Sequence, residues 1–178
     1  MYSDEELSAI VKRGSAAMNI KIDPDAGAEI AKRSRGTPRI ALRLLRRVRD
    51  VADVRGIAAI DADTAVKAMN MLEIDPFGLD EGDRRILRAI IELFEGGPVG
   101  LSTIAAALNE DPQTIEDIYE PYLIQKGFIE RTPRGRRATV GAYGYLGKPL
   151  PPQIQGNILA QSFQSKLPYN QQDEEDGC

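Results

Sequence analysis

Apolar residues recur at three- and four-residue intervals along most of this chain, a spacing that predicts helices. Ser3-Asp4-Glu5-Glu6 has the form of a capping box, and Leu7, Ile10 and Val11 behind it mark a first helix ending near Met18. Ile20 and Ile22 are expected at the edge of a core. Asp23-Pro24 opens a second helix through Ala26, Ile30 and Ala31, and Gly36 ends it. Thr37 before Pro38 starts a third: threonine caps free amides, and proline suits the first helical position, where no donor is needed. Ile40, Leu44, Val48 and Val51, with Ala41, Leu45 and Ala52 beside them, form one apolar stripe, while Arg39, Arg43, Arg46, Arg47 and Asp50 take the other side. Gly56 is the expected terminator. Asp61 caps a fourth helix through Val66, Met69, Met71 and Leu72, the methionines being packing residues. Four short helices with brief loops predict a small bundle.

Ile74-Asp75-Pro76-Phe77-Gly78 carries the punctuation of a linker. Asp80 then caps a helix with Ile86, Leu87, Ile90, Ile91 and Phe94, closed by Gly96-Gly97-Pro98. A short helix over residues 102–108 turns Ile104, Ala105 and Leu108 inward. Asp111-Pro112 starts another with Ile115, Ile118, Tyr119, Tyr122 and Leu123 as apolar positions, ended by Gly127. Pro121 should bend it, at a cost of about 3 kcal/mol if unrelieved. Residues 128–132 and 136–140 alternate as two strands around the turn Pro133-Arg134-Gly135. Three helices and then a β-hairpin is the winged-helix plan. From Lys148 onward the chain is rich in Pro, Gln, Asn and Ser and ends in acids, which reads as a flexible tail over residues 149–178. The expected architecture is therefore mainly α: a bundle over residues 1–74, then a winged helix over 75–148.

Composition narrows the chemistry. The 178 residues are 42% hydrophobic with a formal net charge of −4, and no apolar run approaches a membrane span. The acidic start is unlike a signal peptide. A lone cysteine, Cys178, excludes an internal disulfide framework and fits a reducing cytosol. With no histidine, Ser-His-Asp and Cys-His catalysis and imidazole zinc sites are excluded. Asp80, Glu81 and Asp83 could suggest a metal cluster, but a helix start explains acids there. Positive charge gathers at residues 32–55 and again at 131–137, which points to two separate anionic partners.

Arg39 stands in the first turn of the third helix, where partial positive charge ordinarily attracts acids. Arg33 and Arg35 precede it and no acid follows until Asp50. A solvated polar face and a phosphate site both fit that pattern. In the winged helix, the third helix carries Glu116, Asp117 and Glu120, which would repel phosphates, so base reading by that helix is rejected. Arg131, Arg134, Arg136 and Arg137 crowd around one tight turn, where guanidinium groups can reach a DNA backbone. The alternative is a hairpin whose charges only keep an edge soluble. Phosphate contact without base contact implies grip independent of sequence.

Gly36-Thr37-Pro38-Arg39-Ile40-Ala41 followed by Arg46-Arg47-Val48-Arg49-Asp50 resembles the second sensor motif of the RuvB family of AAA+ motors, which drive Holliday-junction branch migration. Gly96-Gly97-Pro98-Val99-Gly100-Leu101, Thr114-Ile115-Glu116-Asp117, Glu120-Pro121-Tyr122-Leu123 and Arg131-Thr132-Pro133-Arg134-Gly135-Arg136 resemble the head domain of the same family. The resemblance runs from about Tyr2 to Gly147. It implies that the bundle is an AAA+ lid, that Arg39 reaches ATP phosphates and Tyr2 lies against the nucleotide, and that Arg131 and Arg136 touch DNA, with Arg134 and Arg137 beside them. It further implies a hexameric ring, RuvA bound through an ATPase core, RuvC in the resolvase complex, and a cytoplasmic role in recombination and repair. Departures are Pro112 where relatives often have an arginine, Arg137 for an apolar residue, and Tyr145 for a histidine.

No G-x-x-x-x-G-K-[ST] phosphate loop occurs in these residues, nor a strand ending in paired acids to hold Mg²⁺. The resemblance places both in a core preceding Met1, so the purified chain is expected not to hydrolyse ATP. Turnover abolished by Arg39→Ala would overturn that. Two other readings are a free-standing winged-helix regulator with a dimerising bundle, revealed by a sequence-specific footprint, and a truncated chain that caps an intact motor.

Overall fold

The computed structural model describes residues 2–152; most of the expected tail, Cys178 included, lies outside them. In the first module, α1 (Asp4–Ala17), α2 (Pro24–Lys32), α3 (Pro38–Val54) and α4 (Ala62–Met71) pack as the predicted bundle. Ser3 and Glu6 close a reciprocal capping box on α1, and the Asp61 side chain accepts from the Thr64 amide at the start of α4. Leu7, Val11, Ile30, Leu45, Val48 and Met69 are sealed in its core. Backbone bridging between Ile22 and Ile60 ties the α1–α2 loop to the α3–α4 loop. Met71, expected to pack, is mostly exposed instead: it lies two residues past Met69 and so turns away from the buried face.

The second module has its own core around Leu79, Leu87, Ile90, Ile104, Leu123 and Tyr143. It runs α5 (Glu81–Arg88), a π-helical turn (Ala89–Leu93), α6 (Leu101–Leu108), α7 (Pro112–Thr114), a second π-helical turn (Ile115–Tyr119) and α8 (Glu120–Gln125). The hairpin of β1 (Ile129–Thr132) and β2 (Gly135–Ala138) and a last helix, α9 (Val140–Leu146), follow. Pro121 does not break its helix. It falls at the start of α8, directly after the wide π turn, where a missing donor is tolerated. The same wide turn shifts the helical phase, so Ile118 is 59% exposed rather than buried. Val140, expected to end a strand, instead begins α9. That helix contains glycines at 141 and 144, poor helix formers, and is held by burial of Ala142 and Tyr143.

The two modules are joined by more than the linker. Arg35, in the loop between α2 and α3, donates from Nε to the Gly78 carbonyl at 2.9 Å and from Nη2 to Asp80 at 3.2 Å and to Asp83. Its guanidinium lies 4.8 Å from the centre of the Tyr122 ring. Arg33, nearly buried, reaches the Ile74 carbonyl and pairs with Glu29 at 3.2 Å. Asp83 is 0% exposed and closes a capping box with Asp80 on α5. Burial pushes its carboxyl up to about 6, with Arg35 pulling the other way.

Candidate nucleotide and nucleic-acid interfaces

The first site stands where the arginine-rich helix begins. Thr37 is the N-cap of α3 by backbone, with Pro38 in the first turn, but its side chain makes no capping bond. The threonine hydroxyl donates instead to the Arg35 carbonyl at 3.2 Å, steadying the loop that carries the inter-module arginine. The expectation that threonine satisfies the free amides is therefore corrected. The helix start has neither a side-chain cap nor an acid in its first turn, which leaves its positive end open to an external anion.

Arg39 projects from this end and is exposed. Among the described residues it has no ion pair, and the same is true of Arg43, Arg46 and Arg47, which follow it on one exposed face. Arg49 differs, pairing with Asp50 and Asp53. Of the arginines that sequence grouped with Arg39, Arg33 is held within its own module by Glu29 and the Ile74 carbonyl and Arg35 is committed to the junction between modules, so neither adds free charge here. Tyr2 is held beside the same loop, its amide donating to the Gly36 carbonyl at 3.2 Å, and its ring is half exposed. An open aromatic face and an unpaired guanidinium at a helix start are the groups a base and a phosphate would need.

The second site is the hairpin. Its register sets Arg131 directly opposite Arg136 and Glu130 opposite Arg137. Cross-strand partners share a face and neighbours alternate, so the four arginines do not form one cluster. Arg131 and Arg136 share one face; Arg137 lies on the other and pairs with Glu130, Nε to Oε1 at 2.6 Å. Arg134, at the turn, is exposed and has no ion pair among the described residues.

Arg131 and Arg136 both meet acids of the preceding helix. Glu120, 1% exposed, accepts from Arg131 Nε through Oε1 and from Arg136 Nη2 through Oε2 at 2.9 Å. Glu116 Oε1 lies 3.3 Å from Arg131 Nη2 and 3.5 Å from Arg136 Nη2. The bond and charge of Glu120 hold the Arg131 guanidinium above its ordinary range. Four freely projecting wing arginines were expected; three are ion-paired within their own module. The reason is tertiary: of the three acids that made the third helix look hostile to DNA, Glu116 and Glu120 are turned to the wing, while Asp117 stays exposed and accepts from Gln113.

Close backbone contact fixes the hairpin to the body of the module. Val99 exchanges two backbone bonds with Arg136, at 2.9 and 2.8 Å, as a short third strand. Gly135 has φ +132°, and a Cβ there would stand 2.2 Å from the Val99 carbonyl oxygen. Only glycine admits that approach.

Comparison with known proteins bears on both sites. Residues 2–75 match the family model described as the RuvB AAA lid domain, and residues 76–147 match the RuvB C-terminal winged helix domain. The chain is 57% identical over 158 residues to the Holliday junction branch migration complex subunit RuvB of Koribacter versatilis, covering 89% of this chain and 44% of that protein. It is 58% identical over 150 residues to the subunit of the same name from Chloroflexus aurantiacus, covering 84% and 43%. The solved Thermotoga maritima RuvB Holliday junction branch migration motor superposes with a TM-score of 0.81 at 50% identity, over 84% of this chain and 50% of that one. The chain thus spans less than half the length of these curated relatives.

Proposed function

Because this chain belongs to the RuvB family, we propose that it supplies the nucleotide-sensing lid and the DNA-gripping head of a branch-migration motor. The observation that carries this reading is the pair of guanidinium sites, one at the start of α3 and one on the hairpin. Arg39 would meet the phosphates of ATP, and Tyr2 would lie against the base or sugar. Phosphate binding and Mg²⁺ coordination would otherwise fall to an ATPase core of the kind the relatives' further length allows. Bound there, ATP supplies the free energy for movement. The part of this chain is to sense it from the lid.

Arg131 and Arg136, with Arg134 at the tip, would hold the duplex backbone at a Holliday junction. Contacts of this kind read no bases, which suits a motor that must release its track at every step. Arg35 gives the lid a direct mechanical path to the head: Arg39 lies four residues from a guanidinium clamped to the start of the head's first helix. A hexameric ring and binding to RuvA and RuvC belong to the same reading. A cytoplasmic setting agrees with the single cysteine; among the described residues no helix is long and apolar enough to cross a membrane.

The test is duplex DNA binding by the purified chain, followed by fluorescence anisotropy against salt. Arg131→Ala with Arg136→Ala is expected to weaken binding about tenfold or more at 0.1 M NaCl and to flatten the salt dependence, since each neutralised phosphate contributes a slope of about −0.9. An unchanged slope would remove the wing from the mechanism.

A further inference from the structure

The wing carries its own opposition. Three guanidinium groups, Arg131, Arg136 and Arg137, meet three carboxylates, Glu116, Glu120 and Glu130, and Arg134 at the turn is left as the surplus positive charge. A protein built for the tightest hold on a polyanion would leave those cations uncompensated. Glu120 is the most informative of the three acids. Its carboxylate is sealed from water and both of its oxygens are engaged by the two arginines that share a face. It sits on α8, whose neighbour Leu123 is fully buried, so it cannot swing away when DNA arrives.

A guanidinium has five donors in a planar fork. Arg131 spends Nε and Nη2 inward, as does Arg136, so in each the Nη1 edge is left for a phosphate. Carboxylate and phosphate can therefore share each arginine. The carboxylate fixes where the guanidinium stands and at the same time offsets part of its charge.

We propose that Glu120 is a built-in counter-charge that meters the grip of the wing on DNA backbone: a positioning residue that aligns Arg131 and Arg136 and limits how strongly they hold each phosphate. This rests on the reading of the wing as the DNA-binding surface. Removing the charge releases two guanidinium groups toward solvent and tightens binding, where a purely structural glutamate would, on removal, weaken it.

The experiment is duplex DNA binding by the full chain between 50 and 200 mM NaCl, with folding checked by circular dichroism. Glu120→Gln is expected to bind about threefold or more tightly at 50 mM, with a log–log salt slope steeper by about one. Glu120→Asp, which keeps the charge, is expected to keep the wild-type slope. Weaker binding by Glu120→Gln, or an unaltered slope, overturns the proposal. If Glu120→Gln does not fold, Glu116→Gln, at a half-exposed position, is expected to steepen the slope in the same sense, and no change there also overturns it. Failure of the underlying reading looks different: Arg131→Ala with Arg136→Ala would then leave binding and slope untouched, whatever Glu120 does.

Discussion

Replacing Arg35 by alanine should loosen the joint between lid and head. The side chain is largely buried and neutralises Asp83, which is fully buried, together with the more exposed Asp80. Removing one partner of such a pair leaves an uncompensated interior charge and costs about 3–5 kcal/mol. For a chain of this size each kcal/mol lowers Tm by roughly 2–4 °C, so a fall of about 6–20 °C is expected. The cost should also depend on pH. Burial already raises the Asp83 carboxyl to about 6 in the folded chain, against 3.8 for the free group, and loss of Arg35 raises it further. The folded variant then binds a proton that the unfolded chain releases, so its stability falls as pH rises through the folded value and recovers as pH is lowered toward 4. Urea denaturation of wild type and Arg35→Ala at pH 5 and pH 8 measures this directly. The deficit should be larger at pH 8, and Asp83→Asn in the Arg35→Ala background should restore part of it. Scanning calorimetry should show one transition splitting into two as the modules part. A deficit under about 1 kcal/mol, or one equal at both pH values, would refute the assignment of Arg35 as the joint.

Arg39→Ala should behave oppositely. Exposed and without an ion pair, Arg39 should change stability by no more than about 0.5 kcal/mol in the same urea assay; a larger loss would mean that it supports the fold rather than waits for an anion. Gly135→Ala should cost about 2–4 kcal/mol, because a Cβ would strike the Val99 carbonyl and the backbone there is left-handed. Amide exchange at Arg136 and Val99 should then report a detached wing, and unaltered protection would contradict the close approach. Tyr145→Phe removes the hydroxyl that donates to Asp75 and should cost about 1–2 kcal/mol by thermal melt, and no loss would show that bond to be idle.

Local sequence determined the elements of this protein. Ser3–Glu6, Asp61 and Asp80–Asp83 cap helices where the pattern placed them, because a cap depends on residues three apart. The hairpin followed from alternation around Pro133-Arg134, and the arginine stripe of α3 from its 3.6-residue period. Helix α9 was not legible, since its glycines give no propensity signal and packing alone holds it. The phase slip at the π turn, which exposes Ile118 and accommodates Pro121, was hidden for the same reason. What the chain order could not express is which charges meet. Arg33, Arg35 and Arg39 read alike within seven positions, yet Arg33 is buried against Glu29 and Ile74 of its own module, Arg35 is drawn to Gly78, Asp80 and Asp83 of the second, and Arg39 remains without an ion pair among the described residues. Glu116 and Glu120 looked like acids that forbid DNA until folding set them against Arg131 and Arg136. Helix and strand are decided by neighbours a few residues away, whereas the acids that Arg35, Arg131 and Arg136 meet lie 11 to 48 residues from them. Only the packed modules choose them.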